Sequence, residues 1–139
     1  MFKSILLPLD LTERHERAID IAVELAHESG GEVILVHAIE LIPGVSMNEE
    51  KGFYARLHKI ATAHLERIGH SLTLRDVRWR SHIVYGNRAA EIARHVTGES
   101  ADLIILTAPR FDAGNPAASW SSLSWKTAII AACPVLLVK

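Results

Sequence analysis

Short, nearly unbroken apolar runs recur along the chain, at Lys3 to Leu9, Val33 to Val36, Leu103 to Leu106 and Pro134 to Val138. Runs of this kind predict strands covered on both faces, as in a parallel sheet held between helices. Pro8 limits the first of them. Between the runs the period changes. Ile19, Ala22, Val23 and Ala26 fall at i, i+3, i+4 and i+7, and Gly30-Gly31 follows where a left-handed cap would close a helix. Beyond a loop marked by Pro43-Gly44, a second stripe joins Phe53, Leu57, Ile60, Ala61 and Ile68. A third joins Ala89, Ile92, Ala93 and Val96, and a fourth helix runs through Trp125, Ala128 and Ile129.

One strand reads differently. Val77, Trp79, Ser81, Ile83 and Tyr85 alternate with Arg78, Arg80 and His82, which predicts one wet face and a place at the sheet edge, with Gly86 ending the strand. Five strands thus alternate with four helices, the pattern of a parallel sheet with right-handed crossovers and helices on both faces. Ligands of such sheets bind beyond the carboxyl ends of the strands, at a switch point. The loops to watch are the one beginning at Asp10 and the long one at 107–122. Periodicity leaves the order of the strands open.

A chain of 139 residues suits one domain over 1–139. Its 15 basic and 16 acidic residues leave a formal charge of −1, which favours neither nucleic acid nor an anionic membrane as a partner. No apolar stretch approaches the roughly 20 residues needed to span a bilayer. The N-terminus has no signal-peptide pattern, and the single Cys133 has no internal partner, so a reducing cytoplasm is expected.

Three features in register, Ile5-Leu6-Leu7-Pro8-Leu9-Asp10, Ala101-Asp102-Leu103-Ile104-Ile105 and Cys133-Pro134-Val135-Leu136-Leu137-Val138, together resemble the universal stress protein family. Val33 to Glu40 and Tyr85-Gly86-Asn87 with Ala89-Ala90-Glu91-Ile92 agree with it, so the resemblance covers nearly the whole chain. It implies a doubly wound five-stranded parallel sheet of order 3-2-1-4-5. It also implies a homodimer in which last strands pair, here Val135, Leu136, Leu137 and Val138. Many members bind ATP through an acidic residue after the first strand and a pattern G-x-x-G-x(9)-G-S/T after the fourth. On that resemblance Asp10 is the acid, and Pro8 and Ala38 line an adenine pocket, Ala38 through its backbone. Asp10 before Thr12-Glu13 can equally serve as a turn or helix-start residue.

The glycine pattern is broken. Counting from Asp102 places Thr107, Arg110 and Trp120 at the three glycine positions, and counting back from Cys133-Pro134 places Ala108, Phe111 and Ser121 there, with Ser122 as the hydroxyl. A Cβ at a positive-φ position costs about 1 kcal/mol, and bulky Phe111 or Trp120 could occupy the phosphate volume, so the cradle is not built as in ATP binders. Pro109 removes one more N–H donor. Arg110 and the serines at 119, 121, 122 and 124 could still hold an anion, although Ser121 or Ser122 equally suits a helix N-cap. The aromatics Phe111, Trp120 and Trp125 read either as a lid filling the vacant pocket or as a contact surface, the first being preferred.

Eight histidines raise a metal hypothesis, but His58, His64 and His70 stand six residues apart and far round a helix from one another, so no metal site is expected. His37 reads as making a fixed hydrogen bond and Cys133 as buried and inert. Glu13-Arg14-His15-Glu16-Arg17 reads as a solvated charge run. With no G-x-S-x-G turn, no catalytic set is found. The expectation is a non-catalytic, cytoplasmic, homodimeric stress-adaptation protein that acts on an unidentified protein partner and requires no cofactor. The alternative is an adenine-nucleotide module holding ATP with Asp10, Ala38 and the serine-rich helix start, with slow ATP hydrolysis as a third reading.

Overall fold

The computed structural model describes residues 1–109, 113–115 and 122–139. Its elements run β1 (Ser4–Pro8), α1 (Glu16–Ser29), β2 (Glu32–Ile39), α2 (Lys51–Leu74), β3 (Arg78–Tyr85), α3 (Arg88–Gly98), β4 (Leu103–Thr107), α4 (Leu123–Ile130) and β5 (Val135–Val138). All strand pairs are parallel, in the order β3-β2-β1-β4-β5. This is the expected doubly wound sheet.

Burial on both faces explains the unbroken apolar runs. Leu6 stands beside Ile34 and Ile104 in register, and these three pack with Val36, Leu106, Ile92 and Val96 on the α3 side. Ile5, Leu7, Val33, Leu35 and Ile105 take the opposite face, against Ala22, Val23 and Ala26 of α1 and Leu65 and Leu72 of α2. Each such side chain contributes roughly 1.5–3 kcal/mol through burial, so a polar residue on either face would be expensive. The Ala101-Asp102 pair also has a structural reason: Asp102 accepts hydrogen bonds from the Lys3 and Ser4 amides at 2.8 and 3.1 Å, tying the start of β1 to β4. Gly30 closes α1 in the left-handed region at φ 66°, as expected.

Two helices turn differently from the sequence pattern. On α2 the buried positions are Tyr54, Ala61, His64, Leu65, Gly69 and Leu72, while Ile60 is 57% exposed. Trp79 of β3 sets this face, because a Cβ on Gly69 would lie 2.3 Å from its ring. The Trp79 indole also donates to Thr73 Oγ1 at 2.8 Å. On α4 the inward residues are Ser124 and Thr127, while Trp125, Ala128 and Ile129 face outward. Among the described residues no helix is long and apolar enough to cross a membrane.

Candidate functional site

Adjacent strands β1 and β4 send their following helices to opposite faces, so a crevice opens between their carboxyl ends. It is a cleft of about 240 Å³, with Pro8, Asp10, Ala38, Thr107, Pro109 and Ser122 among its lining residues. Five residues assigned from the resemblance therefore share one cavity: Pro8, Asp10, Ala38, Thr107 and Ser122. Ala108 stands apart from it, its amide donating to Val138 O at 2.7 Å in the β4–β5 ladder. Arg110 and Ser121 lie outside the described residues, as do Phe111, Ser119 and Trp120.

Asp10 is saturated by its own loop. Oδ1 accepts from the Thr12 amide at 2.9 Å and from the Thr12 hydroxyl, which makes an Asx turn. Oδ2 accepts from Arg14 Nε and Nη2 at 3.0 and 2.9 Å. Burial opposes ionisation here, but the hydrogen bonds from Thr12 and His15 outweigh it and hold the carboxyl well below the usual carboxylate range. The turn-forming role of Asp10 is thus built into the loop, and its carboxylate still borders the cleft.

His15 joins the two strand ends. Only 5% exposed, it meets Asp10 Oδ1 through Nε2 and Thr107 Oγ1 through Nδ1, both at 2.7 Å. A carboxylate only accepts, so Nε2 carries the proton toward Asp10 and Nδ1 accepts from the Thr107 hydroxyl. The chain from hydroxyl through imidazole to carboxylate fixes the imidazole's tautomer and orientation and joins β1 to β4 beneath the cleft. Reading Glu13 to Arg17 as a solvated run misses this residue. Its signal was present: His15 precedes Ala18, Ala22 and Ala26 on one helical stripe, the buried face of α1.

Across the cleft, His37 Nδ1 donates to Leu9 O at 2.8 Å, the fixed hydrogen bond expected of it. Arg14 and Arg88 supply positive charge at the cleft wall. On the β4 side, Ser122 caps α4 by accepting from the Trp125 amide at 3.2 Å, and Ser124 donates to Thr107 O at the same distance. Neither Thr107 nor Ala108 adopts positive φ, so the two described glycine-equivalent positions are not shaped as an anion nest. Nor do His58, His64 and His70 converge. His58 bonds the Tyr85 hydroxyl at 2.8 Å, His64 is buried beside Arg67, and His70 is exposed.

Fold and cleft define a doubly wound α/β domain with a crevice at its switch point, bounded by an acid after β1 and hydroxyl groups after β4. The profile of the universal stress protein family matches residues 1–139. A Thermus aquaticus relative, "Universal stress protein in QAH/OAS sulfhydrylase 3'region", is 31% identical over 142 residues, covering 100% of both chains. The chain belongs to the universal stress protein family. Among solved structures, a universal stress protein in complex with cAMP superposes with a TM-score of 0.75 at 16% identity, covering 99% of this chain and 97% of that one. The universal stress protein from Archaeoglobus fulgidus in complex with dAMP does so with a TM-score of 0.74 at 16% identity, covering 99% and 98%. At such identities the likeness is one of fold.

Proposed function

We propose that this member of the universal stress protein family serves stress adaptation as a non-catalytic, cytoplasmic homodimer acting through protein contacts. The observation that carries this reading is the set of exposed apolar side chains on the edge strand β5 and on α4. Leu136 and Leu137 are 38% and 41% exposed on the last strand of the sheet, and Ile129 and Ile130 of α4 are 63% and 50% exposed. An apolar edge strand offers its unpaired backbone groups to another chain, and a second β5 related by a two-fold axis satisfies both copies at once. Val138 is buried and Val135 half-buried, so Leu136 and Leu137 make the contact. Sedimentation of the wild type and of Leu136→Glu/Leu137→Glu tests it. A dimer that becomes a folded monomer supports the reading; a wild-type monomer at micromolar concentration overturns it.

A second reading rests on the cleft. At about 240 Å³ it falls just below the roughly 300–1,000 Å³ usual for ligand sites. Relatives of the same fold crystallise with cAMP and dAMP. Pro8 and Ala38 would flank the base, while Arg14 and Arg88 would meet the phosphate. Calorimetric titration with cAMP, AMP and ATP separates the readings: micromolar binding that is weakened in Arg88→Ala establishes the nucleotide module, and its absence leaves the first. The hydrolase reading requires ATP turnover that disappears in both Asp10→Ala and His15→Gln.

A further inference from the structure

The last turn of α3 and the edge strand β3 bring together three groups that are far apart in sequence. His95 and Glu99 are four residues apart and so lie on one side of the helix end. His82 comes to the same side, because its register partner Val36 packs with Ile92 and Val96 of α3. Glu99 Oε1 is 3.2 Å from His82 Nε2 and 3.6 Å from His95 Nε2. The two imidazole centroids are 4.6 Å apart. One ligand atom from each residue lies within 4.8 Å of the other two.

Both Nε2 atoms are buried and neither makes a hydrogen bond, although Glu99 Oε1 stands near each, at 3.2 Å from His82 and 3.6 Å from His95. An unpaired buried polar group costs about 1–3 kcal/mol. Two of them beside one carboxylate oxygen call for a shared partner. Imidazole, imidazole and carboxylate form a borderline donor set suited to Zn²⁺. A tetrahedral ion with bonds of about 2.0–2.2 Å holds its donors roughly 3.3–3.6 Å apart, close to the two carboxylate–imidazole separations of 3.2 and 3.6 Å. The second oxygen, Glu99 Oε2, is paired with Arg80, which also bonds Glu32 Oε1 at 3.0 Å. This fixes the carboxylate with Oε1 toward the histidines, as a supporting shell does in metal sites.

We propose that His82, His95 and Glu99 form a binding site for a divalent transition-metal ion of the Zn²⁺ class, with its fourth position left to water or an external ligand. None of the three lines the cleft at the strand ends, so the site is separate from the nucleotide reading. An ion there would staple the edge strand to the helix that covers it. The pattern escapes a search for ligands within one helix, because one donor comes from a strand.

The test uses tag-free full-length protein, stripped with chelator and titrated with Zn²⁺ by calorimetry and with Co²⁺ by visible absorption. One equivalent binds, Co²⁺ develops the intense bands of a low-coordinate site, and the thermal midpoint rises with added Zn²⁺. His82→Gln and His95→Gln each weaken binding at least tenfold, whereas His58→Gln and His70→Gln leave it unchanged. Thermal unfolding without metal confirms that each variant folds. No saturable binding of either ion, or binding that survives both substitutions or is lost instead in His15→Gln, overturns the proposal.

Discussion

Replacing His15 by alanine removes the imidazole that ties the end of β1 to the end of β4. The bond to the Asp10 carboxylate, as a hydrogen bond to a charged group, contributes about 1.5–3 kcal/mol, and the bond from the Thr107 hydroxyl about 0.5–1.5 kcal/mol. Asp10 keeps Thr12 and Arg14, so its charge is not stranded. The space left by the ring opens to the cleft, where water can enter and recover part of the loss. The net cost is about 2–4 kcal/mol, which for a chain of this size lowers the thermal midpoint by roughly 6–16 °C. Urea unfolding at one fixed protein concentration measures it, so that the self-association proposed above contributes equally to wild type and variant. The Asp10→Asn/His15→Ala cycle isolates the pair, with an expected coupling of at least about 1 kcal/mol. A loss under about 1 kcal/mol in His15→Ala, or additivity in the cycle, refutes the clamp.

The Asp10 carboxyl ionises below its unfolded value near 3.9, so its stabilisation is complete above that value and fades as pH falls toward the folded one. Asp10→Asn should therefore be less stable than wild type at neutral pH, with the gap narrowing in unfolding experiments below about pH 4. His64 is held below its ordinary value of 6.5 by burial first and by the Arg67 charge next, and its Nε2 has no partner. Its neutral form is favoured in the fold, so stability drops as pH falls below 6.5. His64→Leu should remove that drop and gain more at pH 5.5 than at pH 8, as followed by thermal unfolding. Gly69→Ala improves helix propensity by about 1 kcal/mol yet drives a Cβ into Trp79, and should destabilise by a net ~1–2 kcal/mol in urea unfolding, with changed Trp fluorescence.

The central strands are legible in the sequence because no position of β1, β2 or β4 can face water without cost, and unbroken Ile, Leu and Val runs follow. The face of α2 is not, because it is shaped by Trp79 reaching over Gly69, and a glycine and a buried His64 count as nothing in an apolar period. On α4 the pattern gives the opposite face: Trp125, Ile129 and Ile130 are exposed, while the small polar Ser124 and Thr127 turn inward. For the cleft, Pro8, Asp10, Ala38, Thr107 and Ser122 were identifiable through the resemblance, since the fold brings those loop positions together whatever they carry. His15 and the His82–His95–Glu99 group were not. Their chemistry depends on contacts between elements, which spacing along a single element does not encode.

The broken glycine pattern and the His15 clamp bear on the same chemistry. A phosphate cradle needs unengaged amides in a curved backbone. Here Thr107 extends the strand with its hydroxyl turned to His15, and the amide of Ala108 is spent on Val138 at the β5 ladder. The start of the loop therefore couples the cleft to two structural elements, the acid loop after β1 and the edge strand β5. Any ligand that engages Asp10 or Thr107 must compete with bonds already made by Thr12, Arg14 and His15. Its binding energy would then be partly offset, and a ligand acting on Thr107 would reach β5 through a single residue. For the proposed dimer and the proposed mononucleotide ligand, a change in self-association on adding cAMP or AMP would express that coupling, and by linkage self-association would alter nucleotide affinity by the same factor.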